Sequence, residues 1–530
     1  MQIFSFSPFG FEGALVTIEV DLRRGIPAVD IVGLADGAVK ESRERMQAAI
    51  RNTQFEFPKE RVLISLSPAD LKKEGAGFDL PIALCVLFAQ GKADGMTDFI
   101  DEQVLIMGEL ELSGKIRAVK GINAAVSTAV SNGIKYCIVP GLNFDEAIEV
   151  RGAKIYGADS LENAFYALKD RSVFTDGKSD EKKDVIPANC VDVEGVYFSA
   201  MSPGFEFAEI KGQSKLVRAL QIAAAGGHNL VAVGAPGCGK TMAIQKFPAI
   251  NPTLSLEEAH AVTRIWSLAG LIKPSEPLVR TPPFRIPHQT ASIEGICGGG
   301  PNCRPGEISL AHNGVLFLDE AAEFRSSVLQ MLRVPLENGA ITLSRAGRST
   351  IYPANFQLLM ATNPCPCGNY GSKTKLCLCS AKAIEQYWKK FSAPLLDRID
   401  LRVPVENKSE NCDEGNSEND ERKGFNSTEE IRKKIAKAVK MQKKRQNVKN
   451  AKLSPQNIED FCKLNEDGRE LLQKSVERYG FSPRAIASCL KVARTIADME
   501  EKEFILPVHL AEAIDFRKLC SNLVPENKKK

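Results

Sequence analysis

Hydrophobic positions along the chain gather into short runs, and their spacing changes from one region to the next. Over residues 1–168, strand-like runs (ALVTIEV, RVLISL, QVLIMGEL) alternate with the helical stretches 36–52 and 121–132. That alternation predicts a compact α/β unit. Residues 169–205 contain DRSVFTDGKSDEKKDVIPANC, which is polar, charged and aperiodic, and read as a linker. Between 206 and 405 the runs NLVAVG (229–234), GVLFLD (314–319) and FQLLMATN (356–363) are short and apolar. Strands buried on both faces have this composition, and the helical stretches between them predict a parallel sheet covered on both sides.

Residues 406–427, ENKSENCDEGNSENDERKGFNS, are acidic and poor in hydrophobics, and read as a second linker. Ser427 with Glu430 three residues on forms a capping-box pattern, which opens the helix IRKKIAKAVKMQKKRQ. The basic face of that helix is either a solvated surface or a nucleic-acid contact. The remainder of 428–525 reads as helices, and no internal repeat is present.

Composition narrows the setting. A chain of 530 residues is too long for one core and predicts roughly three or four units. The net charge of +3 provides no global attraction to nucleic acid, so any such contact needs a local basic patch. The opening MQIFSFSPFGFEG lacks the pattern of a signal peptide, and no run reaches the length of a membrane span. With fourteen cysteines and no secretory signal, a reducing cytoplasm is expected, without membrane attachment. Clustered cysteines there more often bind metal than form disulfides.

Two stretches carry phosphate chemistry. GAPGCGKT at 234–241 follows an apolar strand and fits G-x-x-x-x-G-K-[ST]. Gly234, Ala235, Pro236, Gly237, Cys238 and Gly239 would curl the backbone so that its N–H groups face phosphates. Lys240 would reach the β and γ phosphates, and Thr241 would hold Mg²⁺. In GVLFLDE (314–320), Asp319 stands at a strand's carboxyl tip, placed for the Mg²⁺ shell, and Glu320 follows to orient and deprotonate water. ATP is the expected nucleotide.

The runs AAAGGHNLVAVGAPGCGKT (223–241), VTRIWSLAGL (262–271), RPGEISLAHNGVLFLDE (304–320), ATNPCPCG (361–368) and PLLDRIDL (394–401) resemble the magnesium-chelatase-like branch of AAA+ ATPases. The likeness is closer still to the YifB/ComM group, competence-associated proteins, and covers nearly the whole chain. It implies a P-loop αβα core over 206–405 with a C-terminal helical lid over 428–525. It also implies that Asn363 is sensor 1 beside Glu320, Arg398 the arginine finger and Arg484, in GFSPRA, sensor 2. A finger acting on the neighbouring subunit's ATP requires a ring of identical chains, typically six. The chain departs from the family pattern at Trp266, Gln289 and Ala322, and in Cys297 and Cys303 around the GGG loop; none is a nucleotide-contacting position.

AITLSRAGRSTIYPANF (340–356) reads as a β-hairpin turning at Arg345-Ala346-Gly347-Arg348. It resembles the hairpin that projects into the ring's pore in related helicases, which implies that Arg345 and Arg348 contact DNA phosphates. Within the insert 363–380, Cys365, Cys367, Cys377 and Cys379 form two C-x-C pairs, enough thiolates for a structural Zn²⁺. The basic loop between them, with Lys373 and Lys375, is a further place to touch DNA. The alternative is a set of four reduced cysteines in a loop.

Residues 61–140 resemble the proteolytic domain of Lon-type proteases, whose fold is shared with a ribosomal-protein-like α/β unit. KKEGAGFDLPIAL (72–84) and GKIRAVKGINAAVSTAVSNGIKYCIVP (114–140) carry the likeness. The serine position falls near Gly77 and the lysine near Asn123, so a Ser–Lys dyad is missing and the unit is expected to serve assembly or docking. Ser65 and Ser67 lie in a strand-like run and are read as structural. The resemblance as a whole implies a DNA motor, a ring helicase or branch-migration enzyme acting on single-stranded or branched DNA in recombination or natural transformation. The alternative is a chelatase-type subunit that uses ATP to remodel a protein.

Overall fold

The computed structural model describes residues 2–518, apart from 35, 70, 72, 74, 97, 179–188, 201–203, 274–275, 346–347, 373–374 and 407–426. The second linker, 406–427, therefore lies almost wholly outside the described residues.

The N-terminal unit is built on an eight-stranded mixed sheet. Its strands are β1 (Gln2–Ser7), β2 (Ala14–Arg23), β3 (Val29–Val32), β4 (Arg61–Ser67), β5 (Gln103–Ile106), β6 (Tyr136–Pro140), β7 (Lys154–Ala158) and β8 (Thr175–Asp176). They lie in the order β8-β7-β6-β5-β1-β2-β4-β3. Helices α1 (Gly37–Arg51) and α2 (Asp79–Ala93) pack in one core with β2 and β4, and α3 (Ile122–Ser131) packs in another with β5 and β6. Ser65 and Ser67 fall within β4. The stretch Ala76–Ala93 is long and apolar enough to cross a membrane, but it is 61% buried within the fold, as a core helix is.

Residues 190–199 correct the expected first linker. They form a hairpin, Cys190–Val193 with Val196–Ser199, that turns through Glu194 and Gly195, both at positive φ (52° and 78°). Two successive residues of this kind make the tight turn that suits a twisted β-ribbon. Val193, Val196 and Phe198 enter the core of the central domain, where Arg432 stacks over Phe198 at 5.4 Å and donates to the Ser199 carbonyl at 2.8 Å. Charged residues on the outer face conceal a hairpin whose covering residue, Arg432, lies 233 positions further on.

The central domain begins with α4 (Ser214–Gly226) and β9 (Leu230–Gly234), followed by α5 (Lys240–Gln245) and α6 (Leu256–Ala269). Next come β10 (Phe284–Arg285), β11 (Val315–Leu318), α7 (Arg333–Asn338), the hairpin β12 (Ala340–Arg345) and β13 (Arg348–Pro353), and β14 (Gln357–Thr362). Helix α8 (Ala381–Lys389) and β15 (Leu401–Val405) close it. The sheet runs β10-β11-β14-β9-β15, and every neighbouring pair is parallel. All residues of β9, β11 and β14 are buried, as their unbroken apolar runs require.

The C-terminal helices are α9 (Thr428–Arg445), α10 (Pro455–Phe461), α11 (Glu466–Tyr479), α12 (Pro483–Met499) and α13 (Pro507–Arg517). Ser427 caps α9 by accepting from the Glu430 N–H. Lysines on α9 pair with Glu429, Glu501 and Glu194 (Lys433 2.9 Å, Lys437 2.7 Å, Lys440 3.7 Å), which favours the solvated reading of its basic face. Buried Asp498 gathers Arg445, Arg494 and Asn450, tying α9 to α12.

The N-terminal unit docks on the central domain through its β1–β2 turn. Arg264 of α6 donates to the carbonyls of Phe11 and Glu12 and to the Thr128 hydroxyl (3.3, 3.3 and 3.1 Å), and pairs with the Glu12 carboxylate at 3.2 Å. Its guanidinium lies 4.8 Å from the Phe11 ring centre. The Phe11 N–H donates to the Thr350 hydroxyl of β13 at 3.1 Å.

Candidate active site

Strand β9 delivers the chain into the phosphate loop. Gly237 and Gly239 take positive φ (79° and 82°), which lets the loop reverse before α5 starts at Lys240. Lys240 is buried, and its ammonium donates to the carbonyls of Gly234 (2.7 Å) and Ala235 (2.8 Å). The same nitrogen stands 3.4 Å from the side-chain oxygen of Asn363, the residue that follows β14.

Thr241 donates its hydroxyl proton to Oδ1 of Asp319, across 2.9 Å. Neighbouring oxygen ligands of octahedral Mg²⁺ also stand about 2.9 Å apart, given metal–oxygen distances of about 2.0–2.1 Å. The pair therefore fits that ion. Glu320 has a left-handed backbone (φ 47°, ψ 47°), and its N–H donates to Asp319 Oδ1 at 3.0 Å. For a residue with a side chain this conformation costs roughly 1–2 kcal/mol. The turn leaves Asp319 bound to Thr241 while Glu320 is exposed. Lys240, Thr241, Asp319, Glu320 and Asn363 thus meet at the carboxyl ends of β9, β11 and β14, three adjacent strands. In an open parallel sheet, ligands bind at this edge.

The two arginines are elsewhere. Arg398 precedes β15, where the Asp400 and Leu401 N–H groups donate to the Asn229 carbonyl at the amino end of β9 (3.1 and 3.0 Å). The five residues of β9 separate this edge from the phosphate loop by roughly 16 Å. Arg398 pairs with Glu337 of α7, and Arg484, near the start of α12, reaches the other oxygen of the same carboxylate at 3.6 Å. Hydrogen bonding from Arg398 holds the Glu337 carboxyl below its ordinary range, and Arg484 adds to the effect. Buried Arg517 of α13 braces this corner through Asp397 (2.6 Å) and the Ile399 carbonyl (2.5 Å). Glu337 carried no motif, and its role emerges only when α7 is folded against the loop before β15.

The four cysteines converge. The sulfurs of Cys365, Cys367, Cys377 and Cys379 all lie within 4.8 Å of one another, with separations of 3.4, 3.7 and 3.6 Å among the first three. A tetrahedral zinc site with Zn–S bonds of about 2.3 Å sets its sulfurs about 3.8 Å apart, so the donor set fits Zn²⁺. The N–H of Asn369, helped by the neighbouring thiols, draws Cys367 down to about 6. The same cluster pushes Cys377 up to about 12 and raises Cys379, so the thiols share protons that a bound metal would displace. Lys375 lies in the same loop, and its N–H donates to the Ser372 hydroxyl. Lys373 lies outside the described residues. The hairpin β12–β13 has the expected register, Arg345 opposite Arg348, but Ala346, Gly347 and the side chains of both arginines lie outside the described residues.

In the N-terminal unit, Gly77 faces Met107 and Val119, which are apolar. The backbone N–H of Asn123 donates to Glu146 at 3.0 Å, and that buried carboxylate accepts from Ser267 of α6 at 2.5 Å. The position matched to a catalytic lysine thus belongs to a polar contact between domains.

Family models match three stretches of the chain. Magnesium chelatase, subunit ChlI, matches residues 206–412; subunit ChlI of Mg-chelatase matches 18–143; and subunit ChlI C-terminal matches 425–517. The chain is 38% identical over 516 residues to the competence protein ComM of Haemophilus influenzae, covering 97% of each. The chain belongs to the magnesium-chelatase-like family of ComM and YifB. It is 37% identical over 521 residues to the uncharacterized protein YifB of Escherichia coli, covering 97% of this chain and 96% of that one. A weaker likeness, 26% over 237 residues, relates 42% of the chain to 31% of the archaeal Lon protease of Methanocaldococcus jannaschii. The parallel sheet and the helical C-terminal region agree with the AAA+ architecture of this family.

Proposed function

We propose that the chain is an ATPase that assembles into a ring, drives DNA strands past one another and acts as a helicase or branch-migration enzyme. Lys240 holds the β and γ phosphates, and Thr241 with Asp319 holds Mg²⁺. Bound there, the ion would neutralise charge growing on the phosphate oxygens. Glu320 takes the proton of the attacking water, which Asn363 orients. Arg398 and Arg484 serve the nucleotide of the adjacent subunit.

The observation that carries this reading is the division of the site between two edges of one sheet. Its phosphate loop opens at one edge, and the arginines share Glu337 at the other. A neighbour completes the site by a head-to-tail contact, and such contacts generate a ring when the rotation closes. Six subunits would bring about a dozen arginines, Arg345 and Arg348 from each, around one channel, enough for strong salt-dependent DNA binding. Cys365, Cys367, Cys377 and Cys379 hold a structural Zn²⁺. The name of the relative ComM, a competence protein, suggests natural transformation as the setting.

The test is ATP turnover by the full chain, alone and with single-stranded, duplex, forked and four-way DNA. The proposal expects strong stimulation, greatest with branched DNA. Turnover indifferent to every DNA overturns the DNA motor and turns the search to a protein substrate, as in a chelatase-type remodeller.

A further inference from the structure

The cysteine knuckle touches the phosphate loop directly. Gly368 sits between the two cysteine pairs, is buried, and has φ of 77°. A Cβ built on it would fall 2.4 Å from Cδ and 2.6 Å from Cγ of Pro236, inside the phosphate loop. Gly368 also donates its N–H to the carbonyl of Cys365 at 2.9 Å, so its place depends on where the first cysteine pair is held.

The same cysteine pair is joined to the site from the other side. Cys365 is fully buried and lies two residues after Asn363, whose side chain stands 3.4 Å from the Lys240 ammonium. Between them, the Pro364 carbonyl accepts from the indole N–H of Trp388 at 3.0 Å. The first pair is therefore anchored to the body by α8. The second pair, Cys377 and Cys379, alternates with Leu376 and Leu378, which are 81% and 84% exposed. Its thiols face the first pair, and its apolar side chains face solvent.

We infer that the metal-filled knuckle is a splint for the phosphate loop, so that metal occupancy sets the affinity for nucleotide. The inference rests on the reading of the four cysteines as a metal site. Four thiolates around one ion close the loop from 365 to 379 and fix the turn at Gly368, whose face supports Pro236. Without the ion, four sulfurs at such short separations must share protons or move apart, and the support beneath Pro236 is lost. No electron transfer is involved: the ion replaces the thiol protons, and its release returns them.

The experiment measures zinc content and the Kd for a fluorescent ATP analogue on the full chain, in parallel. Zinc-loaded protein, protein stripped with a chelator, and stripped protein given zinc again are compared with two variants. In Cys377→Ser the metal site loses a ligand. In Gly368→Asn the metal site is intact but a side chain is forced against Pro236, and asparagine tolerates the left-handed backbone. Stripping and Cys377→Ser are each expected to weaken nucleotide binding at least tenfold, with zinc restoring the stripped wild type. Gly368→Asn should keep about one zinc per chain, which also reports a folded knuckle, and lose affinity to a similar degree. Equal affinity with and without zinc overturns the inference while leaving the metal site standing. A chain that binds no zinc overturns both. Normal affinity in Gly368→Asn overturns the contact as the route of coupling.

Discussion

Arg398 pairs with Glu337 at the edge of the parallel sheet opposite the phosphate loop. A guanidinium held there cannot serve the Lys240 of its own chain across the roughly 16 Å spanned by β9. Replacing it with alanine should therefore leave nucleotide binding within a few-fold of wild type. Turnover should fall about a thousandfold, the usual worth of an arginine supplied in trans. Equilibrium binding and steady-state hydrolysis, measured on the same preparation, check both halves of this expectation.

Glu320 stands apart from the Thr241–Asp319 pair because its left-handed turn keeps its carboxylate exposed. Glu320→Gln keeps the volume and removes the base. It should bind ATP as tightly as wild type and turn it over at least a hundredfold more slowly. Single-turnover kinetics distinguish this from slow product release, and normal turnover would place the base elsewhere.

His312 gives the central domain a pH dependence. Burial pushes its imidazole down to about 4, with Lys452 adding and Glu258 opposing, and its Nδ1 accepts from the Asn355 N–H at 3.0 Å. The folded chain keeps this ring neutral, while the unfolded chain protonates it near its ordinary value of about 6.5. Its contribution is thus complete above that value and is lost as pH falls toward 4. The full loss is roughly 3 kcal/mol. Thermal melts from pH 7 to 4.5 should show falling stability, and His312→Gln, which retains an acceptor for Asn355, should flatten that slope.

Arg264 tethers the N-terminal unit, joining α6 to Phe11, Glu12 and Thr128. Arg264→Ala removes several charge-assisted hydrogen bonds and should loosen the docked turn by about 2 kcal/mol. Hydrogen exchange in residues 9–13 should quicken by roughly thirtyfold, while nucleotide affinity stays unchanged. Unaltered exchange would mean that the remaining contacts, Phe11 with Thr350 and Ser267 with Glu146 among them, hold the docked turn without Arg264.

How much of this could be read beforehand depended on the distance over which each feature is specified. The phosphate loop, Asp319 and Asn363 were legible because each is a short motif on the end of an apolar strand, and the parallel sheet brings such ends together. The cysteines were legible because all four lie within fifteen residues. The hairpin at 190–199 was hidden, since Arg432 and the core that cover Val193 and Phe198 come from remote parts of the chain. Arg264 lies in the run VTRIWSLAGL, but its partners are in the N-terminal unit, 136 to 253 positions earlier. Glu337 had no local signal at all, because two arginines from different segments define it.

The most direct test of a site shared between subunits is ATP turnover by rings formed on co-expression of Arg398→Ala with Glu320→Gln. Each variant alone should be inactive. In mixed rings, about a quarter of the contacts join an intact Glu320 to a neighbour's intact Arg398, so roughly that share of wild-type turnover should return. Mixed rings no more active than either variant alone would contradict the account.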